Sequence, residues 1–202
     1  MALKNTPMIR TLTLIPLLAA LVASVAFPTA ALARSCGGVD FPNSVTVAGE
    51  RLSLNGLGIR EATVFNVDVY VAGLYVATRA RTADALLDLT HPIVLDIRFI
   101  RDVDQATMNE ALEQGFSRNA GGNMSALQAR VNQLKGWVPN LTNGMILVFT
   151  WQPGTGLQMK VDGRVLGTIT GDDFASVFFR IWLGPNPPNR GLRTGLLGGT
   201  CE

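Results

Sequence analysis

Residues 52–76, LSLNGLGIREATVFNVDVYVAGLYV, constrain the fold more than any other part of the chain. From Asp68 to Val76 two rows alternate, Val69, Val71, Gly73 and Tyr75 against Tyr70, Ala72, Leu74 and Val76. Both rows are mostly apolar, so this strand needs cover on both sides. Gly73 in its middle indicates a bend or a close approach by another backbone. Upstream, Leu52 and Leu54 alternate toward Asn55-Gly56, and a glycine-punctuated corner then carries Arg60. Ala62, Val64 and Asn66 read as a short strand and a further corner. Long charged side chains are seldom buried without a partner. Arg60 is therefore either the anchor of an internal ion pair, with Glu61, Asp68 or Asp96, or the polar handle of a cavity. In a cavity its planar donor fork suits a carboxylate, phenolate or enolate oxygen. Tyr70 and Tyr75 face opposite ways, so at most one shares that cavity, and Tyr70 is the candidate.

The remaining periodicities place a sheet beside helices. Val45–Val47 opens the first strand, and Ile93–Ile100 alternates with Asp96 and Arg98 on its second face, which implies that this face is partly wet. Thr82 caps a short helix through Asp88. Asp102 and Asp104 offer N-caps for a helix to about Asn119 with Met108, Leu112 and Phe116 on its stripe. A second helix begins near Ser125, carries Leu127, Val131, Leu134 and Val138, and is ended by Gly136 and Pro139. Met145–Trp151, Leu157–Val161 and Arg164–Ile169 read as three antiparallel strands, the last two joined at Asp162-Gly163. Asp172 caps a helix through Trp182, with Phe174, Val177, Phe178 and Ile181 inward, and a short helix ends at LLGG. Strands grouped with strands and helices with helices give an α+β fold, an antiparallel sheet with helices over one face.

The N-terminus reads as an export signal. Lys4 and Arg10 precede an apolar core, and Ala31-Leu32-Ala33 is a small-x-small cleavage site. Residues 1–33 are thus assigned to a signal peptide and 34–202 to one domain, in a secreted, periplasmic protein. No later apolar run reaches the roughly 20 residues a membrane span needs. Removing the signal takes two basic residues from 17 and none from 15 acidic ones, leaving 15 of each. A formally neutral chain offers no basic surface for nucleic acid. Cys36 and Cys201 bracket the mature chain. In an oxidising space a disulfide would tie its ends together, the alternative being free or intermolecular thiols.

Few catalytic arrangements are open to this chain. Its single histidine, His91, precedes Pro92 at a strand entry and reads as a surface or capping residue rather than a catalytic one. One histidine does not make the usual N/S metal set, and no phosphate-binding glycine loop or CxxC is present. No metal or cofactor is expected. The acid pairs Asp102/Asp104 and Asp172/Asp173 stand at helix starts, where free N–H groups and the helix dipole account for them.

Six segments carry a family resemblance: LNGLGIR (54–60), VDVYVAGLYV (67–76), FIRDV (99–103), PGTGLQMKVDG (153–163), GDDFASVFFRIWLG (171–184) and LRTGLLG (192–198). In order and spacing they resemble the bacterial secreted branch of the chalcone isomerase-like proteins. The resemblance implies an open-faced β-sandwich, a large antiparallel sheet with a helical layer on one face and a cleft between them. It implies one of two activities: a cofactor-free intramolecular lyase (isomerase) closing a conjugated enone, or a binder of long-chain fatty acids. The plant enzymes' catalytic arginine matches Arg60, in Gly58-Ile59-Arg60. Their catalytic threonine falls at about Tyr70, their tyrosine has no counterpart in residues 105–116, and a late polar position falls near Ile181. One retained position of four favours a non-catalytic holder of a small amphipathic anion, a fatty acid or a phenolic, over an isomerase. A structural or partner-binding module is the third reading. N-terminal sequencing of the exported protein should begin at Arg34, and an intact Met1 would refute the signal assignment.

Overall fold

The fold was analysed in a computed structural model that describes residues 1, 33–62 and 67–201. The signal-peptide reading up to Leu32 and the corner read at Val64 and Asn66 lie outside those residues. The described residues from Ala33 onward belong to one compact unit. Its centre is a seven-stranded antiparallel sheet in chain order: β3 (Ser44–Val47), β4 (Glu50–Ala62), β5 (Val67–Val76), β6 (Ile93–Phe99), β7 (Ile146–Gln152), β8 (Gly156–Val161) and β9 (Arg164–Ile169). A separate hairpin, β1 (Ala33–Cys36) with β2 (Val39–Pro42), precedes it, so Val45–Val47 is not the first strand. No described helix is long and apolar enough to cross a membrane.

Two apolar clusters line the two faces, as the double alternation of β5 requires. Tyr70, Ala72, Leu74 and Val76 join Leu95, Ile97, Phe99, Phe149 and Trp151 beneath the helices α2 (Gln105–Asn119), α3 (Met124–Trp137) and α4 (Asp172–Leu183). Aromatic packing ties this layer together, with Phe149 and Phe178 ring centres 4.5 Å apart and Phe178 and Trp182 4.9 Å apart. On the other face Val71, Tyr75, Leu52, Leu54 and Val94 lie under Phe41 of the hairpin. The Cys36–Cys201 disulfide, with Cα atoms 5.9 Å apart, holds that hairpin to the chain's end. The close approach at Gly73 comes from the Phe41 side chain, not from another backbone.

The hairpin also corrects the reading of β6. Asp96 is only 7% exposed. It pairs with Arg98 at 3.0 Å, while Arg98 donates to Asp40 O at 2.7 Å and lies 4.4 Å from the Phe41 ring centre. The face expected to be partly wet is partly covered, with Asp96 buried and Arg98 half-buried, and the two charges neutralise each other.

β4 is one continuous strand where a corner at Arg60 was expected. Leu54 pairs with Tyr75 but Gly56 with Leu74, so Asn55 sits in a bulge. A side chain's face alternates along a strand, and one extra residue reverses that parity. Leu52 and Leu54 therefore face the hairpin, as do Leu57 and Ile59, whereas Gly56, Gly58 and Arg60 turn toward the helices. Asn55 fills its own gap, its side chain donating to Ala80 O (3.0 Å) and Leu196 O (2.7 Å) and accepting from Ala80 N (2.9 Å). The exposed glycine row then receives the last helix, α5 (Arg190–Leu196), which packs backbone to backbone.

Local capping differs from expectation at several ends. Asp104 caps α2, accepting from Thr107 N at 2.8 Å, but Asp102 accepts from Asn143 N instead. Thr82 makes no capping bond, and α1 is only Ala83–Leu86. α3 starts one residue earlier than read, at Met124, and Gly136 lies inside it. Gly171 precedes α4, and Asp173 turns to Arg130 at 2.5 Å. Val177 of α4 is only partly buried. His91 is exposed and paired with Glu50 at 2.9 Å.

A methyl group at Gly58 would overlap Leu192 O and Cα, backbone atoms that cannot step aside. Gly58→Ala should destabilise the protein by about 1–3 kcal/mol, read as a lower denaturant midpoint. An unchanged midpoint would show that α5 does not need this contact.

Candidate functional site

Arg60 and Tyr70 are directly opposed on β4 and β5, and the bulge at Asn55 puts both on the helical face. Across from them α2 presents Met108, Ala111, Leu112 and Gly115, and α4 presents Ile181 and Trp182. Gly115 is required for this closeness, since a Cβ there would fall 2.8 Å from Ile181 Cγ2. Between these elements lie two clefts of about 320 Å³ each, with Arg60, Tyr70, Met108 and Ala111 lining both. The first continues past Gln114 and Arg118 to Asn186 and Pro188. The second runs under Val69, Phe99 and Val103 toward Asp102 and Asp104.

Arg60 is half-buried, and its guanidinium donates to the carbonyl of the neighbouring Glu61. Among the described residues no carboxylate stands within ion-pair distance of it. Asp96, one of the acids considered for it, is on the opposite face with Arg98. The cation thus keeps donors for another oxygen.

Tyr70 is 6% exposed, its ring edge-on to Phe99 at 5.5 Å. Its hydroxyl accepts from Trp182 Nε1 at 3.0 Å, leaving its own proton to donate. Burial pushes the phenol's pKa up, opposed by the Trp182 hydrogen bond and the Arg60 charge. The net direction is upward, so the group is a neutral donor. Thr107, the second hydroxyl along the clefts, is held by Asp104 at 2.8 Å.

Arg60 and Tyr70, the two residues proposed from the sequence, are thus brought together, with Tyr75 on the far side as alternation requires. Trp182 and Arg118 were not singled out. The spacing Phe174, Phe178, Trp182 on one helical stripe is a signal for the first. Nothing local marks Arg118. Among the described residues no three His, Cys, Asp or Glu side chains gather as metal ligands.

Residues 33–198 match the family described as chalcone isomerase-like. The chain belongs to that family. Among solved structures it is similar to a fatty-acid binding protein of Arabidopsis thaliana, with a TM-score of 0.60 and 16% identity over 80% of this chain and 92% of that one. At that identity the likeness establishes the fold. No curated protein matches the chain. The positions that the resemblance singled out, Arg60, Tyr70 and Ile181, all line the first cleft.

Tyr70→Phe removes the acceptor for the buried Trp182 N–H while preserving shape. Leaving that donor unpaired should cost about 1–3 kcal/mol, measured by chemical denaturation. A change below a few tenths would mean that water replaces the phenol.

Proposed function

We propose that this chalcone isomerase-like protein is exported and holds a small amphipathic anion, a fatty acid foremost, without transforming it. The observation that carries this reading is an arginine with no carboxylate partner among the described residues, lining two clefts of which the second is largely apolar and the first mixed. A carboxylate there receives two kinds of donor, the charged fork of Arg60 and the neutral hydroxyl of Tyr70. Pockets of this size, apolar with a few convergent polar groups, suit ligand binding. The fatty-acid binding of the similar Arabidopsis protein points the same way. Export rests on the N-terminal pattern, and the Cys36–Cys201 disulfide supports an oxidising compartment.

Catalysis has less support. An enone cyclase needs its ketone fixed while oxyanion charge develops. α2 offers Met108, Ala111 and Leu112 to the first cleft and α4 offers Ile181, while the Thr107 hydroxyl of α2 lies along the second and is held by Asp104.

Native mass spectrometry of the exported protein should show a co-purifying lipid. Arg60→Ala should weaken dodecanoate binding by about tenfold to a hundredfold, the worth of a hydrogen bond to a charged group. An empty protein with no thermal shift in fatty acids refutes the reading. Loss of chalcone absorbance faster in wild type than in Arg60→Ala would establish the lyase instead.

A further inference from the structure

The two clefts that meet at Arg60 are unlike in charge. Along the second, Arg60 and Arg101 are matched by Asp102 and Asp104. Along the first, the charged residues are Arg60 and Arg118, with no acid. Arg118 stands in the last turn of α2, exposed, and among the described residues it has no ion-pair partner. Its guanidinium donates to Gln114 Oε1 at 3.1 Å, and Gln114 donates in turn to Glu110 Oε1 at 3.0 Å. That ladder along one helix face steadies the arginine through a neutral amide and leaves its charge uncancelled. Its carbonyl accepts from Asn186 Nδ2 at 3.1 Å, which fixes the end of α2 at this wall of the cleft. A single carboxylate answers Arg60 and leaves the second cation unanswered.

We infer that the ligand is an amphiphile with a dianionic head, a phosphate monoester or a compact dicarboxylate. The head lies in the first cleft between Arg60 and Arg118, and the tail runs into the second under Val69, Phe99 and Val103. This rests on the binding reading above, a small amphipathic anion held at Arg60, and puts a doubly charged head in place of the fatty acid's single carboxylate. Both arginines offer planar forks suited to phosphate or paired carboxylate oxygens. An exposed partner contributes modestly, so the added preference is roughly fivefold.

Calorimetry on the exported full-length product at pH 8, below micelle formation, separates the possibilities. Dodecanoate, undecyl phosphate and undecylmalonate share one undecyl tail, and a phosphate ester with a second pKa near 6 carries two charges there. At least one dianion should bind wild type roughly fivefold tighter than dodecanoate. Arg118→Gln should abolish that preference and Arg118→Lys should restore most of it. Preference for the phosphate, the malonate or both identifies the head group. If dodecanoate binds as tightly as both dianions, or the preference survives in Arg118→Gln, the dianion inference falls while the fatty-acid reading stands. If no amphiphile binds, both fall.

Discussion

Strand β4 and helix α5 meet with no side chain between them, and the site depends on that contact. Gly56 and Gly58 face Leu192, Gly195 and Leu196 at distances where any Cβ would collide with backbone. The row of glycines faces α5 only because Asn55 is bulged out, and Asn55 is bulged out because Ala80 and Leu196 satisfy its amide. A buried amide left unpaired would cost more than the bulge does. Bulge, glycine row and terminal helix are therefore one device. Its consequence five residues after Asn55 is that Arg60 turns into the cleft instead of joining Leu52 and Leu54 against the hairpin.

The charges of the molecule sort by face in a way that preserves this arginine. Asp96 and Arg98 neutralise each other beneath the β1–β2 hairpin, on the side away from the helices. Arg130 holds Asp173 at the start of α4, and Lys135 holds Glu113 at 2.8 Å. Each of these acids is already committed, so none reaches Arg60. Tyr70 is held in turn by Trp182, a neutral donor that does not compete for an anion.

Much of the architecture was legible in the chain. The clean alternation of β5, the stripes of α2 to α4 and the run β7–β9 are local patterns, and each formed, except that Val177 is only half-buried and Val138 lies just past the end of α3. The glycine-isoleucine-arginine segment and its companions identified the family before any contact was known. The misreadings share a cause. Asp96 and Arg98 look like a solvated row until Phe41, more than fifty residues upstream, is laid over them. Thr82 and Asp172 look like caps, but Thr82 holds the cap position without a side-chain hydrogen bond, and at α4 the cap position falls on Gly171. The bulge had a signal that was passed over: the apolar positions shift from Leu52 and Leu54 to Leu57 and Ile59 across Asn55-Gly56.

The sequence by itself determined the helices and most strands of the main sheet, though not the β1–β2 hairpin, together with the family and the pairing of Arg60 with Tyr70 as candidates, because periodicity and motif are properties of neighbouring residues. Only the tertiary structure decided that Arg60 lacks an acid among the described residues and that Arg118 lines the same cleft. Those facts depend on the parity reversal at Asn55 and on where the end of α2 rests against the chain around Asn186. Both are set by contacts between segments far apart in the chain, whose relative placement no local pattern encodes.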